Sequence, residues 1–303
     1  MEKVKLGRTG LTVSVAGLGC GGFSRLGLGT GKSFESAANV VKCALDNEID
    51  FIDTAELYGT EPAVGAGIKG FDRGKFVISS KFAYSNMETG ELRPTEDFEK
   101  TLDKCLTNLG TEYVDIYHLH GVSPVNYRSA VERFYPEMLK ARDKGKIRFL
   151  GITELFNEDT THEMLKRAVQ ENLFDVTMIG YNILNQSAAA EVLSELKKID
   201  VGTLNMFAVR NAFSRPDRLR EILQPLGIDN LDWLVADGYA SSLPEAAYRF
   251  CRHTPGIDVV LTGTGETAHL IENIGSINMG PLDKAAVDRL IEIFKGFDSV
   301  SGQ

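Results

Sequence analysis

The chain has 303 residues, 43% of them hydrophobic and 25% charged, the make-up of a globular protein with room for one large core or two modest ones. Its net charge of −9 favours solubility and argues against nucleic acid or an anionic membrane surface as partner. The start, MEKVKLGRTG, has no apolar targeting core, and no apolar run approaches the roughly 20 residues that span a bilayer.

In chain order, VKLGRTGLTV at 4–13 reads as a hairpin around Gly7 and Gly10, placed to plug the lower end of whatever follows. Strands are then expected at 15–20, 50–55, 76–82, 114–120, 147–153, 175–181, 201–207 and 258–263. Several are continuous apolar runs, as in parallel strands covered by helices. Helical patterns lie between and after them at 34–47, 63–69, 95–109, 126–144, 158–172, 187–198, 243–252 and 267–275. Eight strands, each followed by a helix, is the count of an α/β fold closed as a single (β/α)8 TIM barrel, with an open doubly wound sheet as the alternative. No linker divides residues 1–303, so one domain is expected. The long loop after strand 7, residues 208–242, carries Arg210, Arg215, Arg218, Arg220 and the only tryptophan, Trp233, and its length suits a lid. Cys20, Cys43, Cys105 and Cys251 are far apart without a CxxC pair, so buried thiols in a reducing cytoplasm are expected, with no disulfide and no metal.

A barrel sets its active site where the strands' carboxyl ends meet. Asp53 near the end of strand 2, Tyr58 in the following loop, Lys81 closing strand 3 and His120 closing strand 4 would ring one mouth. Together they suit carbonyl reduction, because hydride addition leaves an alkoxide that needs a proton. A phenol is a poor acid at neutral pH, an adjacent ammonium lowers its pKa, and a carboxylate holds that ammonium charged in a cleft. A histidine can orient the substrate oxygen. Singly each has a plainer reading: Tyr58 as packing, Lys81 as a rim lysine reaching for water, His120 as a satisfied core histidine. His118 shares a strand face with His120, so spacing alone does not choose between them.

LGRTGLTVSVAGLGCGG, FIDTAELYG, ISSKF, LTNLGTEYVDIYHLHG and GKIRFLGIT follow in order within a match that runs from about residue 4 to about 205, and VVLTGTGETAHLIENI resumes it near the end. In combination they resemble the signature segments of the aldo-keto reductase superfamily, with GLGCGG and the C-terminal segment closest in pattern to its aldose, fucose and galactose dehydrogenase branch. The resemblance implies an oxidoreductase moving hydride between NAD or NADP and a carbonyl or alcohol substrate, a sugar or small aldehyde. It implies roles for Asp53 (holding the lysine), Tyr58 (proton donor or acceptor), Lys81 (tuning that tyrosine) and His120 (orienting the carbonyl), and it selects His120 over His118.

For the cofactor, the resemblance implies that Tyr181 backs the nicotinamide while Thr153 and Glu154 hold its carboxamide. Met178 stands where the family has a third carboxamide ligand, a glutamine. The strand-seven loop departs from the usual Ser-Pro-Leu-x-x-Gly, reading Asn205-Met206-Phe207-Ala208-Val209-Arg210, with Arg210 a candidate for the pyrophosphate. Gly263, Thr264, Gly265, Glu266, His269, Glu272 and Asn273 match the segment that cradles the adenosine half, where a helix start suits phosphate approach. NADP-using members carry a lysine and an arginine where this chain has Gly263 and His269, and Glu266 stands between, so NAD is expected over NADP. Two rival readings share the scaffold: a redox-neutral epimerase or lyase that retains its nicotinamide, and a non-enzymatic regulatory subunit. Substrate choice is expected to reside in the loops 21–33, 84–94, 121–128 and 208–242.

Overall fold

In the computed structural model, which describes residues 1–86 and 89–303, β1 (Lys3–Lys5) and β2 (Thr12–Ser14) pair antiparallel, with Lys3 opposite Ser14. Leu6 and Val13 of this hairpin pack with Phe51, Val77, Ile116, Val176, Met178, Leu204 and Val259, the apolar side chains that fill the barrel's interior. Gly7 is left-handed at φ +43°, and a Cβ there would stand 2.3 Å from the backbone nitrogen of Gly202. The hairpin is thus a plug seated directly on strand backbone.

Eight strands follow: β3 (Ala16–Gly19), β4 (Phe51–Asp53), β5 (Val77–Phe82), β6 (Val114–Val122), β7 (Ile147–Glu154), β8 (Val176–Gly180), β9 (Gly202–Met206) and β10 (Val259–Thr262). All pair parallel, each with the next. β10 pairs with both β9 and β3, which closes the barrel and excludes the open sheet. Inner side chains meet the interior cluster and outer ones meet the helices, so both strand faces are apolar.

The surrounding helices are α1 (Phe34–Asp46), α2 (Glu61–Gly67), α3 (Glu96–Leu109), α4 (Tyr127–Asp143) and α5 (Glu163–Glu171). A π-helical turn, Ala189–Leu193, then runs into α6 (Ser194–Lys198). The connection after β9 is largely helical, with α7 (Arg210–Ser214), α8 (Pro216–Leu223) and α9 (Trp233–Ala236). Leu219, Leu223, Leu231 and Leu234 bury its helices in the outer core, and Trp233 lies under the Arg289 guanidinium, 3.9 Å away. Arg210, near the start of the connection, lies within electrostatic reach of Tyr58. α10 (Leu243–Arg252) and α11 (Thr267–Asn278) match expectation, whereas α12 (Lys284–Ile293) has no counterpart among the expected helices.

No described helix is long and apolar enough to cross a membrane. The cysteines are free, and Cys43, expected to be buried, is partly exposed. Within the loop 84–94, residues 87 and 88 lie outside the described residues. Gly7→Ala should lower the unfolding free energy by about 3 kcal/mol, because the added methyl meets backbone at a residue already left-handed. A urea midpoint unchanged from wild type would show that the hairpin does not bear on barrel stability.

Candidate active site

Asp53 ends β4, and the side chain of Lys81 on neighbouring β5 reaches it at the carboxyl mouth. The Lys81 ammonium, 0% exposed, lies 2.6 Å from Asp53 Oδ2 and 2.8 Å from the carbonyl oxygen of Thr54. Desolvation works against that charge, but Asp53 and the neighbouring Tyr58 outweigh it and hold the lysine above its ordinary value. The second carboxylate oxygen, Oδ1, accepts from the Ser79 hydroxyl at 2.8 Å.

After β4 the chain enters a single 3-10 turn, Glu56–Tyr58. Glu56 Oε1 anchors this turn to the β5 loop by accepting from the Ala83 amide at 2.6 Å and from Arg93 at 2.8 Å. Tyr58 is thereby laid over the lysine, with Nζ 4.8 Å from its ring centroid. Burial pushes the phenol above its ordinary value, Lys81 pulls it back, Asp53 raises it again, and the net direction is upward. The expectation of a lowered pKa is therefore corrected: desolvation exceeds the ammonium's effect.

His120 and Tyr58 meet edge to face at 5.5 Å, with Nε2 3.5 Å from the phenol oxygen. Burial and then Lys81 drive the imidazole pKa down to about 3, so the ring is neutral. His118 sits deeper, fully buried, with Nε2 3.0 Å from Ser79 Oγ. The two histidines share a strand face but occupy different layers, and only His120 borders Tyr58.

The other candidates divide. Thr153 accepts from the Gly121 amide at 2.7 Å, tying down the loop beyond His120. The Glu154 carboxylate is fully engaged in the wall, 2.9 Å from His162 Nδ1 and 2.7 Å from the Gly180 amide. Met178 points into the interior cluster. Tyr181, just past β8, stacks on Phe250 of α10 at 5.8 Å and 6°, and at 3% exposure it offers no free ring face at the mouth. Asn205 donates to the carbonyls of Tyr181 and Met206, both at 3.0 Å.

Phe207 and Arg210 are both left-handed, at φ +71° and +46°, and the guanidinium lies 3.5 Å from the Phe207 ring centroid. Burial draws the Arg210 pKa down to about 10 while Tyr58 opposes the fall. Around β10, Gly263, Glu266, His269 and Glu272 are exposed and Thr264 and Gly265 are buried at the α11 entrance. Asn273 donates to Thr262 at 2.9 Å. Lys32, from the β3 loop, forms an ion pair with Glu266 that no sequence signal announced.

His120 Nδ1, Asn205 Oδ1 and Arg210 Nε are buried without a hydrogen-bond partner among the described residues. These unsatisfied atoms at the strand ends are of the kinds that an amide and a phosphate-bearing dinucleotide require.

A barrel of this kind defines a class of enzymes with chemistry at the strand ends, and comparison with known proteins gives the family. The Aldo/keto reductase family model matches residues 17–295, and the chain belongs to that family, whose members are oxidoreductases using nicotinamide cofactors on small molecules. L-galactose dehydrogenase of Arabidopsis thaliana is 30% identical over 211 residues, covering 68% of this chain and 64% of that protein. A probable aldo-keto reductase of Glycine max is 25% identical over 67% of this chain and 58% of its own length. The chain thus matches less than two thirds of either plant relative. Aldo-keto reductase YhdN of Bacillus subtilis is 24% identical over 96% of this chain and 94% of its own. The holo form of an aldo-keto reductase from Bacillus halodurans has a TM-score of 0.73 at 22% identity, covering 97% of this chain and 96% of that one, a likeness of fold.

Removing one partner of a buried ion pair strands the other charge. Asp53→Ala should cost about 3 to 5 kcal/mol of stability at neutral pH, and the double change Asp53→Leu with Lys81→Met should recover most of it. Denaturant titration reads both; a double variant no more stable than Asp53→Ala would contradict a desolvated pair.

Proposed function

We propose that this protein is a nicotinamide-dependent dehydrogenase or reductase acting on a sugar or small aldehyde, with Tyr58 as its proton donor and acceptor. The observation that carries this reading is the fully buried Lys81 ammonium, bonded to Asp53 at 2.6 Å and lying 4.8 Å from the Tyr58 ring centroid. A bound nicotinamide supplies or accepts the hydride. Asn205, Arg210 and the strip Gly263–Glu266 are the residues suited to hold it, with Arg210 toward the pyrophosphate. Glu154 and Tyr181, engaged in the wall, support it through the backbone they fix.

In reduction, His120, neutral at working pH, donates a hydrogen bond that orients the carbonyl oxygen. Tyr58 gives its proton to that oxygen as charge develops, and the phenolate left behind is stabilised by Lys81. Asp53 and the Thr54 carbonyl keep the lysine from yielding its own proton. Oxidation uses the same groups in reverse. The 30% identity to a galactose dehydrogenase supports a sugar as substrate. The acidic Glu266 supports NAD, because a carboxylate accepts from ribose hydroxyls and repels a 2′-phosphate, a repulsion that the Lys32 ammonium paired with it reduces.

Tyr58→Phe should leave the protein folded and lower turnover by at least ~10²-fold, assayed by nicotinamide absorbance on a panel of aldoses, including L-galactose, and simple aldehydes. The raised phenol pKa fixes the pH signs. Reduction persists at neutral pH and is lost only as pH rises through that value, whereas oxidation grows over the same rise. With His120 neutral down to about 3, kcat/KM for reduction should show no inflection between about pH 5 and about pH 8. Unchanged turnover in Tyr58→Phe removes the tyrosine from the mechanism.

NAD should bind about tenfold more tightly than NADP, and Glu266→Gln should narrow the gap. Dissociation constants from titration calorimetry decide this, and tighter binding of NADP would overturn it.

A further inference from the structure

Below the mouth, a second polar chain touches the lysine pair and takes no part in the steps above. Ser79 Oγ lies 2.8 Å from Asp53 Oδ1 and 3.0 Å from His118 Nε2. An ionised carboxylate only accepts, so the single hydroxyl proton of Ser79 goes to Asp53. The serine oxygen must then accept, and the proton it receives is that of His118 Nε2–H. Burial first, and Lys81 second, keep this imidazole well below its ordinary pKa, and the Ile152 backbone beside the ring opposes them without reversing the direction, so the ring is neutral. With its one proton on Nε2, its Nδ1 carries none. That Nδ1 has no hydrogen-bond partner among the described residues.

Packing alone does not account for this arrangement. An apolar side chain would fill the layer without leaving a buried nitrogen unsatisfied. The neighbouring strand also gives up a side chain for the ring, since a Cβ on Gly151 would lie 2.1 Å from His118 Nδ1. What these two concessions maintain is a directed row of donors ending on the carboxylate that holds Lys81.

We infer that Ser79 and His118 are positioning residues, which through His118 Nε2–H to Ser79 Oγ–H to Asp53 Oδ1 keep Asp53 ionised and its Oδ2 turned to Lys81. The inference rests on the acid–base role of Tyr58 proposed above. A hydrogen bond to the charged form of an acid favours that form. Without it, Asp53 Oδ1 is left bare in a dry site, its affinity for a proton rises, and the pair with Lys81 shifts toward neutrality. Lys81 then stabilises the Tyr58 phenolate less, and phenolate forms only at higher pH.

The test is the pH profile of kcat, with para-nitrobenzaldehyde as the reduced probe and the most active alcohol or aldose of the panel as the oxidised one. Ser79→Ala should move the alkaline limb upward by about one pH unit and lower oxidation at neutral pH about tenfold. Cofactor dissociation constants should stay within about twofold of wild type, because the serine lies beneath the mouth. His118→Leu should move the limb the same way by less, and His118→Gln, whose amide can donate to Ser79, should restore it. Should Ser79→Ala fail to fold, the two His118 variants carry the test. Superimposable profiles for the variants and wild type, whatever their stability, overturn the inference. Tyr58→Phe separates the two levels: if it is inactive while the profiles do not move, only the positioning role falls, and if it is fully active, both fall.

Discussion

The mouth of this barrel is organised around one unfavourable act, the burial of an ammonium group. Lys81 is wholly shielded from water, and removing an ion of that kind from water costs several kcal/mol even after relaxation. The neighbouring strand returns that cost through Asp53 Oδ2 and the Thr54 carbonyl, at 2.6 and 2.8 Å. Such spacing requires adjacent parallel strands in fixed register, Asp53 opposite Ser79, and closure of the barrel keeps that register rigid. Within this dry setting the lysine counteracts the desolvation of Tyr58, and it helps keep both histidines neutral.

The opposite side of the mouth is built differently. Phe207 and Arg210 adopt left-handed backbone without being glycine, a conformation that persists only where surroundings impose it. Those surroundings include the C-terminal tail: the Ala212 amide donates to the Gly302 carbonyl at 3.1 Å, and Asn182 Nδ2 donates to Ser301 and Phe207 carbonyls. Asn185 extends the clamp by donating to the carbonyls of Asp298 and Val300. The strand-seven loop is thus held between β8 and the C-terminal segment, presenting a guanidinium that has no carboxylate partner among the described residues.

The continuous apolar runs exposed the eight strands and the order of the barrel, because parallel strands buried on both faces leave a pattern that survives without knowledge of contacts. The placement of Asp53, Lys81 and His120 was readable for the same reason: each lies at a strand's carboxyl end. Parity was harder. Tyr181 follows β8 by one residue and falls on the outer side, against Phe250, a choice decided by packing with α10. Pairs formed between distant segments left no trace at all, as with Lys32 and Glu266 or Ser79 and His118. The helices after β9 are short, the longest being α8 at 8 residues, so a helical connection read as a loop even though Leu219, Ile222 and Leu223 have helical spacing.

The site depends on Lys81 remaining an ammonium beside Tyr58. Titrating the Nζ resonance of 15N-lysine-labelled protein, with Lys81→Met to assign it, observes that charge without any substrate. The expected result is a protonated amine that persists above the ordinary lysine value, because Asp53 outweighs desolvation. A resonance that loses its proton below that value would mean that burial prevails, and would contradict the pair on which the site is built.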